Sequence, residues 1–238
     1  MTILCIFGIN DLHKDRTLRA SSSTCSWTCF ERNTALQKAT RNIVSVLLAA
    51  GRGRRMGQPK ALLRWQGRSF CEHLIRAHYE AGVTHVVVVT LPLVKEALAK
   101  EIECPVTWVQ GLDQEEPIDS LLRAVAVLDN APDAALLVGP VDQGPIPVSL
   151  LTTLCQQFPV DACRVRIPTY QTQQGHPVLI GAGFRPLLRK HEGGLRGLFQ
   201  EHPQSIEYRD VKTRATLRNL NTPEQFEAFQ RAAEPIHF

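Results

Sequence analysis

From Ile43 onward the chain alternates apolar runs of strand length with segments of helical period. Ile43–Leu48, His85–Thr90 and Ala134–Gly139 are nearly continuous runs of β-branched and aliphatic residues, the pattern of parallel strands buried on both faces. Shorter runs predict strands at Val106–Val109, Ala162–Ile167 and His176–Ile180, with an edge strand at Ile206–Arg209. Between them, Ser69 is placed to cap a helix that carries Phe70, Leu74, Ala77 and Ala81 on one side and closes at Gly82. Further helices are expected at Leu93–Lys100, Val148–Phe158 and Pro117–Leu128, the last with Leu121, Ala124, Val125 and Leu128 inward. Ala61–Trp65 reads as a short extended piece, and Pro186–Lys190 and Leu195–Glu201 as short helical ones. Thr222 caps a final helix whose Phe226 and Phe229 return to the core. The alternation predicts an α/β fold, a three-layer α/β/α sandwich around a Rossmann-like, mostly parallel sheet.

Residues 1–41 lack such a period. Met1–Ile9 is apolar but gives way to Asp11, His13, Lys14 and Asp15, which is not the layout of a signal peptide. The segment is expected to be a poorly ordered N-terminal extension, leaving 42–238 as the folded domain. Hydrophobic residues form 44% of the chain and charged ones 21%, and no apolar run reaches membrane-spanning length. A net charge of +4 is too mild to imply nucleic acid and suits anionic small molecules equally well. Seven cysteines without framework spacing read as reduced and cytoplasmic. Cys25 and Cys29 are the one close pair, with no nearby His or Cys to complete a metal site.

In open α/β sheets ligands sit outside the carboxyl ends of the strands, so the informative loops follow Leu48, Thr90, Val109 and Gly139. The first holds Gly51, Gly53 and Gly57 interleaved with Arg52, Arg54, Arg55 and Lys60. Glycines let backbone N–H groups approach an anion, and the cations supply the countercharge of a polyphosphate. The spacing G-x-G-x-x-x-G is not the dinucleotide fingerprint, and Lys60 follows Pro59 rather than a glycine, so it is not a Walker A loop. After the third of the long runs comes Asp142, beside Gly144 and Pro145; taken alone it reads as a turn aspartate.

The loop resembles the signature of the MobA-like nucleotidyltransferases, L-A-(A/G)-G-x-(G/S)-x-R-M-G-x-x-K, through Leu48, Ala49, Ala50, Gly51, Gly53, Arg55, Met56, Gly57 and Lys60. The resemblance covers about residues 43–230. It implies a fold of the nucleotide-diphospho-sugar transferase type, with Leu48, Ala49, Ala50, Gly51 and Gly53 around the nucleotide and Arg55 and Lys60 on its phosphates. It further implies that Asp142, ending the LLVGPVD strand, holds catalytic magnesium with an oxygen from the N-L-N-T-P-E segment, Asn219 or Asn221, which could equally be mere helix-cap residues. Gly175 to Leu179 match the G-H-P-V-L of the cytidylyl branch, placing His176 on the side of the second substrate, and EGGLRGLF at 192–199 follows the family's G-x-R-x-L pattern.

Two departures stand out. The family usually has proline two residues after the aspartate, where this chain has Gly144. Of the family's G-x-S-x-S-L run only Ser120 and Leu121 remain, preceded by Glu115, Glu116 and Asp119, which would repel a polyphosphate unless they bind metal or recognise a cation. The implied activity is magnesium-dependent transfer of a nucleotidyl group, CMP from CTP, to a phosphorylated acceptor such as molybdopterin, with a molybdoenzyme or its maturation factor receiving the product. Ala50 and the G-H-P-V-L segment favour CTP, and the asparagine pair is commoner on the GTP side. The alternatives are another phosphorylated small-molecule acceptor or a catalytically silent nucleotide binder.

Overall fold

The computed structural model describes residues 42–128 and 130–232. The extension expected at 1–41, with Cys25 and Cys29, lies outside the described residues. No helix among those described is long and apolar enough to cross a membrane.

Strand β1 (Ile43–Ala49) leads through two short 3-10 turns, Arg54–Met56 and Lys60–Leu62, into a small hairpin of β2 (Arg64–Trp65) and β3 (Arg68–Ser69). Helix α1 (Phe70–Glu80), β4 (His85–Thr90), α2 (Pro92–Leu98), β5 (Thr107–Gln110), α3 (Pro117–Ala126) and β6 (Ala135–Pro140) follow. The second half holds α4 (Val148–Cys155), β7 (Val165–Tyr170), β8 (Gln173–Gln174), β9 (Val178–Ile180), α5 (Gly194–Glu201), β10 (Ile206–Asp210) and α6 (Pro223–Ala232). The main sheet runs β10-β7-β9-β6-β1-β4-β5, with β8 on β7. β1 is central and pairs in parallel with β4 and β6, so Leu47 lies opposite both Val88 and Gly139. β9 runs antiparallel to β6 and β7.

Strand side chains alternate between two apolar layers, which is why continuous apolar runs were needed. Ile43, Leu47, Val86 and Val88 pack with α1, α2 and α4, and Phe226 and Phe229 of α6 join them through Phe70. Val44, Val46, Val87 and Val89 pack with Ile118, Leu121 and Ala124 of α3 and Leu198 of α5. The three-layer, mostly parallel expectation is borne out. Ser69 caps α1 as expected, its Oγ accepting from Glu72 N at 3.1 Å.

Several boundaries differ for local reasons. Lys60–Leu62 is a 3-10 turn rather than extended chain. The strand expected from Ala162 begins at Val165, because Ala162 turns back on Pro159 and its carbonyl lies against Gly181, where a Cβ would come within 2.2 Å. The strand expected from His176 begins at Val178. Helix α4 stops at Cys155, since Gln156 is extended and Gln157 adopts φ +54°. In place of a helix at Pro186–Lys190 there is a 3-10 segment, Ala182–Leu187, in which the Arg185 guanidinium caps the carbonyls of Ala131 and Pro132.

Candidate active site

β1, β5 and β6 all end at one cleft of about 440 Å³. Its wall begins with Leu48 and Ala50, while the intervening Ala49 points into the core, 1% exposed, and its carbonyl accepts from Thr90 Oγ1. Ala49 is therefore a packing residue, a correction that follows from strand alternation. Gly51 faces the cleft, and a Cβ added there would meet nothing within 4 Å. Gly53 lines the cleft too, and is also constrained by the fold: its φ is +62°, and a Cβ would come within 2.0 Å of Gln58 O. Buried Met56 anchors the loop, and Arg52, Arg54 and Arg55 border the cleft around it.

Across the cleft, Asp142 follows β6 in a short 3-10 turn. Lys60 Nζ donates to Asp142 Oδ2 at 3.0 Å and to Asn221 Oδ1. The three groups come from sequence positions far apart, and backbone contacts bring them together. Leu220 N donates to Asp142 O at 2.8 Å, which sets Asn221 beside the aspartate. A capping box then fixes Asn221: Gln225 Oε1 accepts from the N–H groups of Asn221 (2.7 Å) and Thr222 (3.2 Å), and Thr222 Oγ1 accepts from Gln225 N (3.4 Å). Asn219 is exposed and does not line the cleft, so Asn221 alone of the two expected candidates reaches it.

Gly144 explains the displaced proline. It adopts φ +64°, ψ −163°, a conformation open mainly to glycine, with a would-be Cβ 3.1 Å from the Phe70 ring. The turn after Asp142 is thus accommodated by glycine, and Pro145 resumes the chain.

Asp142 and Asn221 offer two oxygens, and among the described residues no group of three or more His, Cys, Asp or Glu could hold a metal. That set would not enclose a cation by itself. It fits magnesium, which retains several waters and binds through one or two carboxylates together with substrate phosphates.

Three of the acidic residues at 113–119 are paired with cations. Asp113 pairs with Arg52 at 3.0 Å and Arg54 at 3.4 Å. Glu115 accepts from Arg123 Nε at 2.9 Å and from Leu112 N at 2.8 Å, and Asp119 pairs with Lys190 at 3.3 Å. Ser120, in the first turns of α3, lines the cleft beside Pro117. β5 leaves the sheet at Gly111, where a Cβ would stand 2.6 Å from that of Ala50.

His176 does not line this cleft. Its side chain remains exposed, and partial desolvation of the imidazole lowers its pKa, outweighing the opposing pull of the Asp142 charge. Two residues escaped sequence reading. Gln143 is buried, and its Nε2 donates to the carbonyls of His176 (2.8 Å) and Thr216 (3.2 Å). Arg218 donates to the Gln143 carbonyl at 3.1 Å and to that of Pro145, its guanidinium 4.6 Å from the Phe229 ring centroid. Burial lowers its pKa to about 10. Together they tie the Asp142 turn to the 215–220 segment. The available signal was an arginine next to N-L-N-T-P-E.

The family model described as the MobA-like NTP transferase domain matches residues 45–206. Nicotine blue oxidoreductase of Paenarthrobacter nicotinovorans is 27% identical over 194 residues, 77% of this chain and 94% of that protein. A probable molybdenum cofactor guanylyltransferase of Bacillus cytotoxicus is 36% identical over 66 residues, 28% of this chain and 33% of its own length. Among solved structures, a nucleotidyl transferase from Methanothermobacter superposes with a TM-score of 0.66 at 25% identity, covering 80% of this chain and 96% of that one. Rv0371c of Mycobacterium tuberculosis in complex with manganese superposes with a TM-score of 0.63 at 19% identity, covering 81% and 100%. The architecture is the nucleotidyltransferase fold.

Proposed function

The chain belongs to the MobA-like NTP transferase family, and from that premise we propose that it transfers CMP from CTP to the terminal phosphate of a molybdopterin-type acceptor. The observation that carries the reading is the meeting, in one cleft, of a bare glycine backbone, three arginines, and the Lys60–Asp142–Asn221 cluster. An oxygen of the acceptor phosphate attacks the α-phosphorus in line, the bond to the bridging oxygen breaks, and pyrophosphate leaves. Such a step asks for positioning and charge neutralisation rather than a side-chain nucleophile. Leu48, Ala50, Gly51 and Ser120 border the nucleoside and α-phosphate, and Arg55 with Lys60 holds the β- and γ-phosphates. Asp142 and Asn221 would hold magnesium, which when bound supplies neutralisation of phosphate charge. His176, beyond Asp142, faces the acceptor side.

The Ala50 methyl, set against Gly111, occupies space that glycine would leave open, and so favours the smaller pyrimidine by roughly 1–3 kcal/mol. A second reading, nucleotide binding without transfer, is favoured by the altered 115–120 run and by the near full-length similarity to a relative named as an oxidoreductase. The test is incubation with magnesium, each of the four triphosphates and either molybdopterin or another phosphorylated small molecule, with pyrophosphate as the readout. Release with CTP above GTP supports the proposal. Binding of every nucleotide with no pyrophosphate from any acceptor supports the second reading.

A further inference from the structure

We propose that the Lys60 ammonium is the resident cation of the Asp142–Asn221 oxygen pair, and that it has to vacate this place before a divalent ion can bind. The free protein then discriminates against free divalent ions and takes one up together with a polyphosphate, which gives Lys60 a new partner. The inference rests on the reading of the cleft as a triphosphate and magnesium site.

Lys60 is placed differently from the other cations of the cleft. Its side chain is 14% exposed, against 60% for Arg52 and 67% for Arg54, and its Nζ bonds both prospective metal ligands at once. An ammonium that donates to two oxygens occupies the position between them. A magnesium ion drawing on the same two oxygens needs contacts of about 2.1 Å, so it and the nitrogen compete for one place. Two positive centres that close repel strongly in a half-buried site.

The backbone of Lys60 cannot retreat, because the 3-10 turn it opens is anchored by buried Ala61. The flexible four-carbon stem can. Arg55 and the open backbone of Gly51 border the same cleft, so a polyphosphate lying there offers the ammonium anionic oxygens within reach of a side-chain rotation. Metal and polyphosphate binding are thereby positively coupled through one side chain, and the coupling is reciprocal.

The test is titration of the full chain with Mn²⁺ as a spectroscopic substitute for magnesium, following the free-ion signal by electron paramagnetic resonance with no phosphate present. Lys60→Met is expected to bind Mn²⁺ about tenfold more tightly than the wild type, since removing the positive charge removes the competitor. Lys60→Gln, neutral but still able to donate to Asp142, is expected to show the same direction, and it decides the matter if the methionine variant does not fold. In calorimetry, Mn²⁺ is expected to strengthen inorganic tripolyphosphate binding more in the wild type than in Lys60→Met. Equal Mn²⁺ affinity in wild type and both variants, with binding abolished by Asp142→Asn, overturns the exchange but leaves the metal site standing. Mn²⁺ binding that ignores Asp142→Asn overturns the site reading itself, and the exchange with it.

Discussion

Gly51 and Gly53 lie two residues apart in one loop and are glycines for different reasons. Space around Gly51 is empty, so Gly51→Ala is expected to fold with unchanged melting temperature but to weaken binding of inorganic tripolyphosphate, because the methyl stands between the backbone and the anion. Gly53 has a positive φ and no room, so Gly53→Ala is expected to lose roughly 1–3 kcal/mol of stability. Chemical denaturation of both variants beside calorimetric binding checks the pair. The order of glycines and cations in this loop was legible. Which glycine has open space beside it and which is held by the fold depended on dihedral angles and on a contact with Gln58 that spacing does not encode. Ala49 and Asn219 show the same limit: each belongs to a matched motif, yet one faces the core and the other solvent.

Element type was legible wherever local chemistry decided it, as with Ser69 capping α1 or Thr222 capping α6. Ends set by tertiary contacts were not, as at Ala162, where Gly181 intervenes. Helix α1 also holds two buried histidines whose pKa values burial drives down: His73, and His78, lowered from 6.5 to about 3. His78 Nδ1 has no hydrogen-bond partner among the described residues. Between pH 6.5 and 3 the unfolded chain binds a proton at His78 that the folded chain does not. Stability is therefore full above that window and falls as the pH drops into it. At pH 5 the loss from His78 amounts to about 2 kcal/mol. Melting temperatures measured from pH 8 to 5 are expected to fall in the wild type and to fall less steeply in His78→Leu, each compared with its own value at pH 8. Identical slopes would mean that His78 does not drive the acid loss.

Across the whole molecule, alternating strands and helices made the three layers legible, whereas strand order did not follow from local pattern. The antiparallel insertion of β9 between β6 and β7 depends on a pairing between distant segments. The Lys60–Asp142–Asn221 cluster is of the same kind, assembled by a backbone bond from Leu220 to Asp142 and by Arg218 across the Asp142 turn. The segment 1–41 lacks the periodic apolar pattern that docks a chain on a core, so its deletion is expected to leave the melting temperature almost unchanged. A fall of many degrees would make it part of the fold. The central claim is that the cleft transfers the nucleotidyl group of a nucleoside triphosphate to a phosphorylated acceptor. Its most direct test is CTP carrying the label at the α-phosphorus, incubated with magnesium, with molybdopterin or another phosphorylated small molecule, and with either wild type or Asp142→Asn. The account predicts label in the acceptor, unlabelled pyrophosphate, and neither product with the variant. Labelled acceptor at an undiminished rate with Asp142→Asn, or no transfer by the wild type to any phosphorylated acceptor, would contradict it.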